Sequence, residues 1–208
     1  MNKVLQWSIA STAVILLCMA SYSYADIPAA RWFHLFEHTR LYELFGLITL
    51  LGDSIVYLFG GILLFILFRH KNRYRTYIGL FLFTAVATSG LTADLVKCIA
   101  GRARPVLCFN ENLYGFAFFQ TEKVWTSFPS GHSATALSVA MLLATLYPRW
   151  RVVSIFTGFL VAFSRIFLAQ HFISDVIAGS FLGIATTALL YTCFFKTKFE
   201  SLNHGISQ

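Results

Sequence analysis

Three short segments of the sequence carry residue types that can do nucleophilic, acid–base and anion-binding chemistry. They read KCIAGRARP at 97–105, PSGH at 129–132 and SRIFLAQHFISD at 164–175. The third segment lies between two strongly apolar runs, although it contains an arginine, a histidine and an aspartate. A charged side chain near a bilayer costs a few kcal/mol, so such residues are retained for a task.

The third segment predicts a nucleophile. His171 and Asp175 are four residues apart, so a helix that begins at residue 171 places both on one face. A carboxylate that accepts a hydrogen bond from one ring nitrogen fixes the tautomer and leaves the lone pair of the other nitrogen free to attack. We therefore predict that His171 is a nucleophile oriented by Asp175.

The second segment predicts an anion site and a proton donor. Ser130 and Gly131 come directly before an apolar run, so the backbone N–H groups at that helix start point at an anion. Glycine lets the ligand approach closely. His132 follows and is placed to protonate a departing oxygen as a general acid.

Three cations complete the set. Lys97, Arg104 and Arg165 predict a pocket for a ligand with several negative oxygens, of which phosphate is the obvious case. Fixed cations and N–H groups hold the charge that develops during phosphoryl transfer. We see no carboxylate-rich magnesium site in the sequence, and we predict neither a metal nor a cofactor.

The elements that must position these residues are membrane helices. The chain has 208 residues, of which 57% are hydrophobic and 12% charged, a balance typical of membrane proteins. Spanning helices need about 20 apolar residues each. We predict one all-α domain over 1–208, with spans at 4–22, 47–68, 77–96, 132–147, 152–169 and 172–195.

The basic residues predict an orientation. Nine of the sixteen Lys and Arg residues cluster at alternate ends of the predicted spans, and the positive-inside rule places these clusters, and both termini, in the cytoplasm. The three chemical segments then face outward. This clustering accounts for the net charge of +7 and argues against nucleic-acid binding. The nine are Lys3, Arg69, Lys71, Arg73, Arg75, Arg149, Arg151, Lys196 and Lys198.

The N-terminal region allows alternatives. The first span, followed by Ser23, Tyr24 and Ala25, also resembles a secretory signal with a cleavage site before Asp26. Residues 26–46 mix aromatic and charged side chains, which predicts a helix in the membrane interface. Its aromatics either anchor the chain there or shape an access route for a lipid.

Several other residues have open assignments. Cys98 and Cys108 fall on the outer side, where a disulfide between them is one alternative. The acids Asp53 and Asp94 either pair with Arg102 or cap helix ends. Three charges of the outer loop are interpreted as solvated, with contact to a lipid headgroup as the alternative. These are Arg102, Glu122 and Lys123.

The three segments together resemble the type 2 phosphatidic acid phosphatase (PAP2) superfamily. The pattern is K-x6-RP at 97–105, PSGH at 129–132 and SR-x5-H-x3-D at 164–175, in that order and with unbroken spacing. The resemblance implies a metal-independent, six-helix membrane enzyme. It also implies a phosphohistidine on His171, with Asp175 as its partner and His132 as the acid. The implied phosphate binders are Lys97, Arg104, Ser130, Gly131 and Arg165.

The substrate class follows from the membrane setting. Spanning helices favour a lipid phosphate over the substrates of the soluble vanadium haloperoxidases, which resemble the same superfamily. The stretches at 114–119 and 127–136 are similar to bacterial lipid A phosphatases and undecaprenyl diphosphate phosphatases, which implies the bacterial inner membrane. The alternatives are phosphatidylglycerophosphate or phosphatidate as the substrate, a lipid phosphotransferase, and a non-enzymatic scaffold.

Overall fold

The structure is a computed structural model that describes residues 2–204, and within them it contains helices and no strand. The α-helices are α1 (Lys3–Tyr24), α2 (Asp26–His34), α3 (Arg40–Ile48), α4 (Ser54–Phe68), α5 (Arg73–Ala100), α6 (Pro105–Glu111), α7 (Gly131–Leu146), α8 (Arg151–Phe167), α9 (Ile173–Leu190) and α10 (Lys196–His204). Short 3-10 turns cover Thr49–Gly52, Lys123–Trp125 and Pro148–Trp150, and a π turn covers Tyr191–Phe195. The predicted all-α class is confirmed.

The long helices form a bundle around α7. This helix packs against α5, α8 and α9, while α4 pairs with α5, and α1 lies along α9. Large apolar side chains such as Phe59, Ile66 and Val152 are exposed on the outside of the bundle, as lipid contact requires. Five stretches of the described residues are long and apolar enough to cross a membrane, and α7, with 16 residues, is shorter. The five are Val4–Tyr24, Arg40–Phe68, Arg73–Ala100, Pro148–Phe167 and Ile173–Leu202.

Glycines allow close contact between these helices. A Cβ atom on Gly61 would lie 2.9 Å from the carbonyl oxygen of Gly79, where α4 meets α5. A Cβ atom on Gly183 of α9 would lie 2.1 Å from the carbonyl oxygen of Ala134 of α7. Small residues at such crossings let helix backbones approach in lipid, where packing is a main driving force for association.

We expect Gly183→Ala to destabilise the protein because its methyl group would overlap the backbone of α7. Overpacking of this kind costs about 1–3 kcal/mol, which thermal unfolding in detergent would detect as a lower Tm. Gly60→Ala is the matched control, since no heavy atom of the described residues lies within 4 Å of the added Cβ. A Gly183→Ala protein as stable as the control would contradict this account of the crossing.

The predicted boundaries need correction at the second span. The predicted helix 47–68 is interrupted, because α3 ends at Ile48, a 3-10 turn follows, and α4 begins only at Ser54. Asp53 caps α4, with its carboxylate accepting a hydrogen bond from the backbone N–H of Ile55 at 3.0 Å. The cap confirms one of the two interpretations of Asp53. The segment 26–46 forms α2 and most of α3, with a turn between them.

The cysteines of the outer loop are not paired. Cys98 is exposed on α5, whereas Cys108 is buried in a cluster with Ala30 and Phe172, and both thiols are free. The disulfide alternative is therefore not realised. The cluster joins α2, α6 and the start of α9, next to the predicted site.

Candidate active site

Four helix ends meet at one end of the bundle, and each carries a predicted site residue. Lys97 lies in the last turn of α5, Ser130 caps the start of α7, Arg165 lies in the last turn of α8, and Asp175 lies in the first turn of α9. The last turn of α5 ends at Gly101, whose left-handed φ of 56° suits glycine. The basic loops lie at the opposite ends of these helices.

The start of α7 contacts two other predicted site residues, Lys97 and Asp175. The Ser130 side chain accepts hydrogen bonds from the backbone N–H and the hydroxyl of Ser133, at 3.4 and 2.8 Å. The backbone N–H of Ser130 donates to the carbonyl oxygen of Asp175 at 3.0 Å, which joins α7 to α9. A Cβ atom on Gly131 would lie 3.0 Å from Lys97 Nζ, so the glycine leaves room for that ammonium group. These contacts place a cation beside the N-terminus of a helix.

His171 and Asp175 are in contact as predicted, but they do not share the predicted helix face. The helix begins at Ile173, so His171 precedes it in a turn. The backbone N–H of His171 donates to the carbonyl oxygen of Arg165 at 3.2 Å, and this bond folds the turn back onto α8. The contact is therefore set by the turn and by the first turn of α9.

The His171–Asp175 contact is longer than a hydrogen bond. Nδ1 of His171 lies 3.6 Å from Oδ2 of Asp175, and this buried nitrogen has no hydrogen-bond partner among residues 2–204. Catalytic hydrogen bonds are often long in unliganded proteins and tighten when the substrate binds. The geometry leaves Asp175 as the nearest acceptor for an Nδ1 proton, with Nε2 as the free nitrogen.

Burial lowers the pKa of His171 to about 4; Asp175 opposes this shift, whereas the positive charges of Arg104 and Arg165 add to it. The imidazole is therefore neutral at every pH above about 4, which is the state that a nucleophile needs. We expect the His171 resonance in histidine-labelled NMR spectra to titrate near pH 4, with His171→Ala identifying the signal. A midpoint near the ordinary value of 6.5 would contradict this environment.

The guanidinium groups of Arg104 and Arg165 act on His171 and retain N–H donors that are not hydrogen-bonded. Arg165 is 5% exposed and donates from Nη1 to the Thr49 hydroxyl at 2.7 Å. Arg104 donates from Nη2 to the carbonyl oxygen of Thr126 at 3.3 Å, and burial lowers its pKa. The Nε atoms of both arginines are buried and have no acceptor among residues 2–204. Buried donors normally have a partner, so both atoms are available to an anionic ligand.

His132 lies on the side of α7 that faces the turn before α4. A Cβ atom on Gly52 would lie 3.0 Å from the Cβ of His132, so the 3-10 turn covers this histidine closely. Thr49, the first residue of the same 3-10 turn, accepts a hydrogen bond from Arg165. The break in the predicted second span thus brings the 49–52 turn into the site.

Two of the sequence-based assignments of charged residues were wrong. Lys97 pairs with Asp94 at 2.8 Å, so Asp94 neither pairs with Arg102 nor caps a helix. Arg102 is 1% exposed and is not a solvated loop charge. Burial alone would lower the pKa of Arg102, but the carboxylates of Asp175 and Asp26 outweigh it and raise the pKa. Glu122 and Lys123 are exposed as predicted.

The sequence reasoning also missed four polar residues that support the site. Each is buried and contacts a predicted site residue or its partner. One of the four could have been found from the sequence. A charged residue directly after an apolar span is costly near the bilayer, so its presence indicates a specific role. That signal applies to Asp26, and the hydroxyl residues carry none. The four are Asp26, Thr49, Ser127 and Ser174.

The sequence and the fold are similar to those of known proteins. A profile of the PAP2 superfamily matches residues 78–199. A lipid A 1-phosphatase of Rhizobium etli is 36% identical over 166 residues, which are 72% of this chain and 71% of the relative. An undecaprenyl-diphosphatase of Sulfolobus acidocaldarius is 26% identical over 155 residues, 73% of this chain and 71% of the relative.

A solved structure shares the fold. The PAP2-type phosphatidylglycerolphosphate phosphatase of Bacillus subtilis superimposes with a TM-score of 0.61 at 22% identity, covering 90% of this chain and 96% of that one. The bundle and its site define a multi-pass membrane phosphatase. The chain belongs to the PAP2 superfamily, and within it the protein is a lipid phosphatase, a hydrolase.

Proposed function

We propose that the protein removes a phosphate group from lipid A at the periplasmic face of a bacterial inner membrane, without a metal, through a phosphohistidine on His171. One observation carries the proposal: the guanidinium groups of Arg104 and Arg165 both act electrostatically on His171, and their buried Nε atoms have no acceptor among the described residues. Unlike Arg102, which is paired with two carboxylates, neither has a carboxylate partner among those residues. A phosphate bound between them would satisfy both donors and bring its phosphorus to the histidine.

Binding uses the cations and the start of α7. Lys97, Arg104 and Arg165 neutralise the phosphate oxygens, and Lys97 exchanges its contact with Asp94 for the ligand. The hydroxyl of Ser130 and the backbone N–H of Gly131 add neutral donors at the positive end of the α7 dipole. Most of these groups are fixed before the substrate arrives, so little reorganisation opposes the reaction.

In the first chemical step the Nε2 lone pair of His171 attacks the phosphorus. A P–N bond forms while the P–O bond to the lipid breaks. His132 takes up a proton when the anionic phosphate binds beside it, and it gives that proton to the departing oxygen. Asp175 accepts the hydrogen bond from Nδ1 and stabilises the positive charge that develops on the ring. The products of the step are the dephosphorylated lipid and a phosphohistidine.

In the second step water replaces the histidine. His132, now neutral, takes a proton from a water molecule whose oxygen attacks the phosphorus, and the P–N bond breaks. Inorganic phosphate leaves, and both histidines return to their starting states. The same cations hold the phosphoryl oxygens in both steps.

The positions of the basic loops support one orientation of the protein in the membrane. The site residues occupy one end of the bundle and the basic loops the other. By the positive-inside rule, this distribution supports a periplasmic site with both termini in the cytoplasm. In this arrangement α7 is the fourth of six spans along the chain, and the segment 26–46 lies in the interface. In a background whose native cysteines, including the exposed Cys98, are replaced by serine, an impermeant maleimide should label Gln120→Cys in intact cells, and Lys71→Cys only after the membrane is opened. The reverse pattern would invert the topology.

Lipid A is the substrate that the comparisons favour, with its 1-phosphate as the position. The relative with that printed activity is the more similar, at 36% identity against 26% for the undecaprenyl-diphosphatase. Undecaprenyl diphosphate is the second candidate because the second relative covers as much of the chain. Both are lipids whose phosphates lie at the membrane surface.

The test is phosphate release by purified protein in detergent and EDTA, with lipid A, undecaprenyl diphosphate, phosphatidylglycerophosphate and phosphatidate compared. We expect lipid A to be preferred and its product, by mass spectrometry, to lack the 1-phosphate. Preference for undecaprenyl diphosphate would select the second candidate. Strict dependence on magnesium would refute the metal-free mechanism, and activity only with an added lipid acceptor would indicate a phosphotransferase.

A further inference from the structure

A buried chain of charges connects the amino-terminal helices to the catalytic aspartate. Nη2 of Arg102 donates to Oδ2 of Asp26 at 2.7 Å, and Nη1 donates to Oδ1 of Asp175. The arginine is 1% exposed and both carboxylates are fully buried. One guanidinium group thus bridges two carboxylates that come from opposite ends of the sequence.

The Asp26 end of this chain of charges is fixed by several hydrogen bonds. Asp26 accepts hydrogen bonds from the hydroxyl of Ser21 at 2.7 Å and from the backbone N–H of Ser174 at 3.0 Å, and the Ser174 hydroxyl also donates to it. Tyr114 donates to the carbonyl oxygen of Tyr22 at 2.7 Å beside the same carboxylate. These bonds tie α1 and α2 to the start of α9.

Aromatic rings enclose the guanidinium group. Five ring centres lie 4.9–5.9 Å from the Cζ atom of Arg102. Such an enclosure excludes water and strengthens the attraction between the cation and both carboxylates. The rings belong to Tyr22, Tyr114, Phe116, Phe128 and Phe172.

The hydrogen bonds of this chain of charges fix the orientation of the Asp175 carboxylate relative to His171. Arg102 occupies Oδ1 of Asp175, while Oδ2 accepts from the backbone N–H of Phe172 at 2.8 Å and from the hydroxyl of Ser127 at 2.6 Å. The carboxylate cannot rotate without breaking several bonds. Oδ2 is also the oxygen that lies 3.6 Å from Nδ1 of His171.

We propose that Asp26 and Arg102 are positioning residues that act on His171 through Asp175. Arg102 aligns the Asp175 carboxylate, and Asp26 offsets the positive charge of Arg102 so that Asp175 remains a strong acceptor for the Nδ1 proton. The inference rests on the proposed roles of His171 and Asp175. It assigns the amino-terminal helices a part in the chemistry, although neither Asp26 nor Arg102 touches the substrate.

The test is a double-mutant cycle with Asp26→Asn and Asp175→Asn. Asparagine keeps the shape of Asp26 but removes its charge, so Arg102 would withdraw more charge from Asp175. We expect kcat to fall about 10- to 100-fold, with KM little changed; losses of this size follow the removal of outer partners that orient metal-binding histidines. In the Asp175→Asn background the second substitution should have no further effect, because its influence passes through Asp175.

A second readout separates positioning from mere structural support. Removing the negative charge of Asp26 should lower the NMR titration midpoint of His171, whereas a loosened site would admit water and raise it toward the ordinary value. Glu111→Gln is the matched control, because Glu111 is an exposed carboxylate on the same side. Ser21→Ala, which removes one donor to Asp26, gives a milder perturbation of the same carboxylate if Asp26→Asn does not fold. We expect it to lower kcat in the parent and not in the Asp175→Asn background.

The outcomes are distinct. A folded Asp26→Asn protein with kcat within twofold of the parent, or one whose loss multiplies fully with that of Asp175→Asn, would overturn the positioning role. An equal effect of Ser21→Ala in both backgrounds would also overturn it. Full turnover by His171→Ala or Asp175→Asn would instead overturn the proposed function on which the inference rests.

Discussion

His171→Ala should lower phosphate release by at least about 10⁴-fold while leaving the bundle folded, because it removes the atom that attacks phosphorus. The side chain is 3% exposed, and the neighbouring cations are held by other contacts, so the phosphate pocket survives the change. Lipid binding should therefore persist when turnover is lost. Phosphate release by purified protein, with thermal unfolding in detergent as the folding check, measures both.

The intermediate provides a second measurement. Brief exposure of the parent to a radiolabelled lipid phosphate, followed by denaturation in alkali, should leave label on the protein, because phosphohistidine is stable to alkali and labile to acid. His171→Ala should carry no label. His70→Ala is the matched control, since His70 is exposed in the loop between α4 and α5 at the opposite end of the bundle. Labelling of the His171→Ala protein would move the nucleophile to another residue.

The membrane class and the three chemical segments could be predicted from the sequence because both depend on local patterns. Long apolar runs set the helices, and the spacing of Lys97, Ser130, Arg165 and Asp175 put each at the end of a run. The structure brings these helix ends together in one place. Such convergence is expected when the intervening helices cross the bundle in alternating directions.

The buried residues that hold the site residues in place could not be predicted, because their contacts join distant parts of the sequence. Arg102 lies 76 positions from Asp26 and 73 from Asp175 in the sequence. An arginine in a polar loop has no local feature that distinguishes burial from solvation. The break at 49–52 was hidden for a related reason, since an apolar 3-10 turn has nearly the same composition as a spanning helix.

The start of α9 was also predicted imprecisely, since the helix begins at Ile173 and not at His171. The i, i+4 spacing predicted a contact between His171 and Asp175 on one helix face, and the structure has the contact without that face. Asp175 instead accepts a hydrogen bond from the backbone N–H of Phe172, the residue before the helix. A residue three positions into a helix commonly caps it in this way. The capping role and the proposed catalytic role therefore belong to the same carboxylate.

The second large effect is expected at His132. His132→Ala should lower turnover of a lipid phosphate by about 10²- to 10⁴-fold, the usual contribution of general acid–base catalysis. The reason is that a lipid oxygen is strongly basic and leaves poorly without a proton. The loss should be in kcat more than in KM, because phosphate binding is assigned to Lys97, Arg104 and Arg165.

A change of leaving group isolates the proton transfer. p-Nitrophenyl phosphate releases a weakly basic phenolate that needs no proton, so the first step should survive in His132→Ala. The second step should remain slow, because His132 also activates the water. The variant should then give a burst of nitrophenol equal to the enzyme present, and phosphohistidine should accumulate on His171. An equally large loss of the burst rate with both substrates would mean that His132 binds the phosphate and does not transfer the proton.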